Sequence, residues 1–543
     1  MKSSDRYSTL RGVQTETRLP SLLPLVLAFL GCIFVFHLGN ALLGRSFIRA
    51  SHLGTALEYS TSSIDLLRPV IAGFDAKGTP AALEFPLWQA VTGLIFKLTH
   101  STWFGWANLV SLLLFATGLW PFIKLSSPYV GERAAWWAAV FFLAQPLIIV
   151  MAGEAATDGF SLTVTIWFLF FADRMFRTGK GWYWWPAALC AAISAVSKLP
   201  FFMAAGLCSF FMLAGWTDAK DSSDGLILRR PLRLWLMLLG IGAVAAVTLA
   251  TWTLHANSLA AQAEYPYLDL RMSHSPFLRF WFFGDLHYRL KPGPWIKGAW
   301  RFLHATLGAL PMVALVVPAL MTRISRLPKF WLLATLFTTF VFTHLVLAHW
   351  HYYLMCCPAV ALLCGISLTR LEEGWARVMP LTWLRLTMSA MILGLSSIDG
   401  LIAMKIAIDY DYFPKKISAL IQQNTQPGDK LILYTCDPDW GGEPLFRSGR
   451  KGLSVINFES SPDTPTVKGL RELLTNESDL NRLKHLGYTK LVLVSESPVR
   501  FAVEASNPGS RRERRFYPQT VSEKVDAWPV TFRSEDLLIK EIP

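Results

Sequence analysis

The chain has 543 residues, 53% of them hydrophobic and only 16% charged, with a mean hydropathy of +0.37. Soluble domains carry about 25% charged residues, so this composition excludes an ordinary soluble enzyme and points to an α-helical polytopic membrane protein. The formal net charge of +13 does not signal nucleic acid, because the Lys and Arg fall in short loops between apolar runs, where they orient a chain in a membrane.

In chain order the apolar runs are 22–43, 103–123, 134–152, 158–173, 183–197, 200–216, 234–254, 299–320, 330–348, 352–369 and 386–406. Each is near the ~20 residues that a spanning helix needs, which gives about 11–13 transmembrane helices once shorter segments are counted. The first run is too long for a signal peptide and reads as a retained anchor. The run 86–98 is shorter and reads as a membrane-dipping segment. The N-terminus, with Lys2, Arg6, Arg11 and Arg18, is expected in the cytoplasm, because the loops that then share its side are basic. They hold Lys124 and Arg133; Arg174, Arg177 and Lys180; Lys220 and Arg229; Arg323 and Lys329; and Arg370 and Arg377.

The opposite, outer face receives a long loop 44–85, the turn 153–157, the junction at Lys198, a second long loop 255–298, the run from His349 to Tyr353, and everything after about residue 408. Loops longer than ~12–15 residues are usually functional or disordered, and two on one face suggest one assembled cavity. The chain thus divides into a membrane domain, 1–408, and a soluble tail, 409–543. In the tail, 430–435 and 490–495 are short Leu/Val/Ile runs that read as buried strands. Residues 413–424 and 467–486 read as helices, the second with Thr466 available as its cap. Alternating helices and strands make a small α/β domain, with Arg511, Arg512, Arg514 and Arg515 on its surface.

Six of the seven cysteines lie in apolar runs, where Cys is a small hydrophobe, and Cys436 alone lies in the tail. No disulfide pair within the tail and no metal-ligand spacing follows. Gly-rich phosphate loops and Ser–His–Asp arrangements are absent.

The polar residues that stand out lie where outer loops meet apolar runs. Glu84 precedes Phe85-Pro86-Leu87-Trp88-Gln89-Ala90. It is either a carboxylate at a helix start or a general base at the boundary of water and lipid. Glu154 and Asp158 flank a turn, and acids so near a bilayer usually face a polar cavity. Lys198, in Ser197-Lys198-Leu199-Pro200, either snorkels or presents a cation to a phosphate. His349, His351, Tyr352 and Tyr353 share a helix junction and suit a cavity lining; the i, i+2 histidines do not share a helix face, so no metal site is expected. Tyr265, Tyr267, Asp269, Arg271, His274, Asp285, His287 and Tyr288 mix aromatic and hydrogen-bonding groups as sugar sites do, and His52 and Glu58 are further candidates in the first loop.

This pattern resembles the GT-C superfamily of integral-membrane glycosyltransferases, in particular the bacterial branch with the lipid A aminoarabinose transferase, the protein O-mannosyltransferases and the RgtA/B/C/D-like enzymes. The resemblance covers about residues 20–410 and rests on the Glu84 motif after a long first loop, the turn with Glu154 and Asp158, the Lys198 motif, and His351-Tyr352-Tyr353 before Pro358. The tail resembles the exported α/β domain of many such proteins. The resemblance implies a multi-pass protein of a bacterial inner membrane with the tail periplasmic or extracellular. Its donor would be a sugar on a polyprenyl phosphate, arriving from the lipid bilayer, and its acceptor a hydroxyl of a glycan, lipid or protein. A carboxylate would deprotonate the acceptor for inverting attack at the anomeric carbon. Glu84 is then the base and Asp158 the second catalytic carboxylate. Lys198, His351 and Tyr352 hold the phosphate, with His52, Glu58 and Arg271 as further substrate-binding residues. No nucleotide cofactor is needed; a divalent cation at the phosphate is left open. Two features depart from the relatives: their Asp or Asp-Glu soon after the first span is missing here, with no acid before Glu58, and the aminoarabinose enzymes place Lys where Glu84 stands. A transporter or flippase of a lipid-linked or sugar substrate is the alternative, and a scaffold acting through its tail a third.

Overall fold

The computed structural model describes residues 23–44, 50–70, 80, 84–217, 231–262, 271, 275–308, 310–321, 325–378, 382–435, 443–456, 477–494, 525–534 and 536–543. Cys436, Thr466, Tyr265, Tyr267, Asp269, His274 and the arginines of 511–515 lie outside them.

The first helix, α1 (Leu23–Ala41), is followed by α2 (Ala50–Thr61) and α3 (Leu87–Thr99), which pack on each other. The segment 86–98 is thus a short amphipathic helix: Trp88, Gln89, Thr92 and Phe96 are buried, while Val91, Leu94 and Leu98 are bare. Next come α4 (Phe104–Thr117), α5 (Leu119–Val130), α6 (Glu132–Ala144), α7 (Pro146–Met151), α8 (Thr157–Thr178), α9 (Trp184–Ser197), α10 (Leu199–Thr217) and α11 (Pro231–Ala260). Short helices α12 (Pro276–Phe283), α13 (Leu286–Leu290) and α14 (Pro292–Phe302) lead into α15 (Leu310–Met321), α16 (Arg326–Val341) and α17 (Thr343–Ala348). A 3-10 segment, Trp350–Cys356, then opens α18 (Cys357–Val378), and α19 (Thr382–Asn424) closes the bundle. Among the described residues five helical stretches are long and apolar enough to cross a membrane. Along α11, Leu232, Leu236, Leu239, Val247 and Leu254 are exposed, a surface that suits lipid and not water. The chain is a multi-pass membrane protein.

Three runs that read as single spans are broken. Gln145 is extended (ψ 140) before Pro146, because proline lacks an N–H and pushes its predecessor out of the helix; the Gln145 amide donates to the Cys357 carbonyl at 3.1 Å. The run 299–320 is interrupted by a π turn, Leu303–Leu307, and by Gly308 at φ +59, and 330–348 breaks at Phe342. Conversely, the helix read at 413–424 is the end of α19, which runs without a break through residues 408 and 409.

The core joins α6 to α18 through Trp137, Phe141, Phe142, Leu362 and Leu363, all buried. Gly365 permits this crossing: a Cβ there would meet the Ala134 carbonyl and lie 2.7 Å from Ala138 N. Gly365→Ala should therefore force the helices apart and lower stability by about 1–3 kcal/mol, seen as an earlier thermal unfolding midpoint in detergent; an unchanged midpoint would show that this crossing yields freely.

The C-terminal part adds β1 (Lys430–Thr435), α20 (Glu443–Arg447), β2 (Lys451–Ile456), α21 (Glu477–His485), β3 (Tyr488–Val494), β4 (Val530–Arg533) and β5 (Leu537–Glu541). The sheet order is β2-β1-β3-β5-β4, with β1 parallel to β2 and β3, and β5 antiparallel to β3 and β4. Its middle strands are buried on both faces. Leu431, Leu433, Val492 and Ile539 meet Phe413, Ile417 and Ile421 of α19, while Ile432, Tyr434, Leu491 and Leu493 meet Leu483 and Trp528. The helix that ends the bundle therefore also builds the core of the sheet.

Candidate active site

Four breaks in the helical pattern bring the site together. Pro86 precedes α3, where its fixed φ suits a helix start, and the Phe85 N–H donates to the Val196 carbonyl at 2.9 Å. The Phe85 ring sits edge-on to Trp252 of α11, 5.0 Å between centroids. These contacts fix Glu84 beside the end of α9. Lys198 is the extended residue between α9 and α10 (φ −154, ψ 93). Pro200 enforces this break, since its ring would clash with the Val196 carbonyl in a continuous helix. Thr157 and Asp158 open α8, where partial positive charge favours a carboxylate. His351 and Tyr352 lie in the 3-10 segment ahead of Pro358.

At the centre is the Lys198 ammonium. Its Nζ lies 3.1 Å from Glu84 Oε1 and 3.3 Å from Asp158 Oδ1, and 5.1 Å from the centre of the Tyr352 ring. His351 Nε2 stands 4.0 Å from Asp158 Oδ1, and its ring lies against Tyr352, 4.6 Å between centroids. The Thr157 hydroxyl donates to Glu84 Oε2 at 2.8 Å. The side chains of Lys198 and Asp158 are 1% exposed, and that of Glu84 is 16% exposed. Glu84 is thus the carboxylate of this group that an incoming molecule meets first. Asp158 is the inner one: apart from the charge of Lys198, neither of its oxygens accepts a hydrogen bond from a described residue. Glu154, buried in the same turn, has its amide and carbonyl engaged with Met151 and Ala156.

Glu84, Asp158, Lys198, His351 and Tyr352 therefore meet in one place. Thr157 is the member that sequence reasoning missed, although a hydroxyl before an acid at a helix start is itself a polar signal. Glu58, half-buried on α2, makes no ion pair with a described residue, and its carbonyl accepts from Ser62. His52 lies on α2 with its side chain outside the described part. Arg271 is half-buried and its carbonyl accepts from the Ser275 N–H. Asp285 caps α13, accepting from the Tyr288 N–H at 2.6 Å, a structural role. Among the described residues no group of three His, Cys, Asp or Glu is placed to hold a metal ion; between Glu84 and Asp158 the position of a cation is taken by Lys198 Nζ.

Toward the opposite end of α8, about 22 Å from Asp158 at 1.5 Å per residue, lies a different kind of polar group. There Asp173 accepts from Arg177 at 2.9 Å and from the Tyr129 hydroxyl. Glu372 takes Arg133 and the Trp137 N–H, tying α6 to α18. In these pairs the acid is buried and the arginine is the partly exposed member, whereas in the Lys198 group the cation is buried and the partly exposed member is an acid, Glu84.

A bundle of broken membrane helices, with its polar residues gathered where helices start and stop and an α/β unit built on its last helix, is the GT-C type of membrane fold. Among solved structures it is similar to ArnT from Cupriavidus metallidurans in the apo state, at a TM-score of 0.60 and 14% identity over 96% of this chain and 98% of that one. It is likewise similar to the same protein bound to undecaprenyl phosphate, at a TM-score of 0.59 and 16% identity over the same shares. No protein-family model and no curated protein matches the sequence.

Proposed function

We propose that this chain is an inverting glycosyltransferase, moving a sugar from a polyprenyl phosphate to a hydroxyl of a glycan, lipid or protein at the outer face of a bacterial inner membrane. The observation that carries the reading is the Lys198 ammonium held between a half-open carboxylate and a buried one. The undecaprenyl phosphate bound by the structurally similar ArnT supports a lipid-linked donor.

Glu84 is the general base, because it is the more exposed of the two carboxylates, at 16% against 1% for Asp158. The acceptor O–H bond breaks and its proton passes to a Glu84 oxygen. The acceptor oxygen bonds to the anomeric carbon from the face opposite the phosphate. The bond from that carbon to the phosphate oxygen breaks, and its electron pair leaves with the polyprenyl phosphate. Protonation of Glu84 removes one of the two charges that hold Lys198. The ammonium is then free to pair with the departing phosphate, so proton transfer and leaving-group stabilisation are coupled. Asp158 holds Lys198 in place, and His351 and Tyr352 complete the phosphate side.

The test is purified protein in proteoliposomes, offered a panel of radiolabelled polyprenyl-phosphate sugars with and without membrane-derived acceptors. At least one donor should be consumed, with release of polyprenyl phosphate and labelled product. Intact donors throughout, together with net movement of label across the bilayer, would replace this reading by a transporter.

A further inference from the structure

The C-terminal unit touches the membrane bundle through α20, which packs on α2 as well as on α19. Arg447 of α20 places its guanidinium 4.0 Å from the centre of the Phe104 ring. Glu443, one helical turn earlier, pairs with it, and both side chains are largely buried, Arg447 at 11% and Glu443 at 3% exposure. A cation on an aromatic face is held more strongly when water is excluded from it. At its other side α20 is rooted in the sheet, because Leu445 packs with Ile417 of α19 and Leu433 of β1.

Phe104 is not an isolated surface ring. It belongs to a buried cluster with Ala56 of α2, Trp88 of α3, and Ala155 and Phe160. Trp88 lies four residues beyond Glu84, and its indole N–H is fixed on the Ser111 hydroxyl at 2.9 Å. Ala155 and Phe160 bracket Asp158. There is no slack between α2 and α3, since a Cβ on Gly93 would stand 2.8 Å from the Ala56 carbonyl. Close-packed interiors pass small displacements on, so a load on Phe104 reaches both carboxylates.

We propose that the C-terminal unit is a clamp on the active site and that Arg447 is its positioning residue: by pressing on Phe104 it holds the cluster that sets Glu84 and Asp158 against Lys198. The proposal rests on the glycosyl-transfer reading for what is positioned, and on geometry alone for the clamp.

The experiment uses the full chain and a labelled donor that the wild type accepts, and it pairs kinetics with amide hydrogen exchange over residues 84–99. In Arg447→Ala, kcat should fall about tenfold with little change in donor KM, as expected when reacting groups are displaced by a fraction of an ångström. Exchange over 84–99 should rise at the same time. Phe104→Leu should do the same, and the double variant should be no worse than either single one, because both remove one contact. Wild-type kcat in Arg447→Ala, unchanged exchange over 84–99, or additive losses in the double variant would each overturn the clamp. If the wild type transfers no sugar, the glycosyl-transfer reading fails, and the exchange data and their non-additivity still decide the clamp.

Discussion

Lys198→Met is expected to abolish transfer and to lower stability by about 3–5 kcal/mol, the usual result of removing one partner from a buried ion pair. The size follows from what remains. Asp158 is 1% exposed and would lose its cation, left beside His351, whose Nε2 stands 4.0 Å away. Glu84 would lose the cation at 3.1 Å and keep the Thr157 hydroxyl. A methionine fills the volume of the lysine stem, so the loss is electrostatic and leaves no large cavity. The double variant Lys198→Met/Asp158→Asn removes the orphaned charge. It should recover most of the lost stability and none of the activity, since no cation then faces the phosphate. Unfolding in detergent, followed by intrinsic Trp fluorescence, measures the first quantity and donor turnover the second. A single variant as stable as wild type, or a double variant that transfers sugar, would remove Lys198 from the centre of the site.

The residues of this site were legible because charge beside an apolar run is expensive and needs a reason. Glu84, Asp158, Lys198 and His351 all stand at the ends of such runs. Proline punctuation sets two of these positions: Pro86 and Pro200 each follow one of them by two residues, at the start of α3 and in the first turn of α10, whereas α8 opens at Thr157 without a proline. Hydrogen bonds between distant side chains leave no comparable mark, so the Thr157–Glu84 contact across 73 positions in the chain was not readable. Neither was the inner and outer ranking of the two carboxylates, which depends on how α8 and α9 pack.

The tail shows the same division. β1 and β3 are central and buried on both faces, so they appear as continuous apolar runs. β2 lies at the edge of the sheet and opens on Lys451-Gly452, and β4 is mostly exposed. β5 carries Lys540, a charge that argues against a buried strand until its ammonium is seen donating to the Val525 carbonyl at 2.6 Å. The continuity of α19 was hidden for another reason: its composition changes from lipid-facing to sheet-facing around residue 409 while its backbone does not. Composition marks the change of environment, and the helix crosses it.

Glu84→Gln should reduce turnover by about 10²–10⁴-fold, the range that a positioned general base contributes, with donor KM and stability close to wild type. The amide keeps the shape of the carboxylate, and its oxygen still accepts from the Thr157 hydroxyl that now bonds Glu84 at 2.8 Å. Lys198 keeps Asp158 as its counter-ion, so the buried charges stay balanced and the phosphate side is intact. What is lost is the capacity to take a proton from the acceptor. Asp158→Asn should behave differently, because Asp158 acts through Lys198: donor KM should rise and stability fall together with turnover. The contrast between the two variants is the decisive measurement. A Glu84→Gln protein that turns over at the wild-type rate would end its role as base. If Asp158→Asn instead lost turnover alone, with donor KM and stability preserved, the proton would have to pass to the inner carboxylate, and Glu84 would become the residue that holds Lys198 in place. Added formate gives an independent check. In Glu84→Ala a small carboxylate diffusing into the vacated edge should restore part of the rate, since the 16% exposure of Glu84 marks a position that solutes reach, whereas the 1% exposure of Asp158 leaves no such entry and Asp158→Ala should not respond.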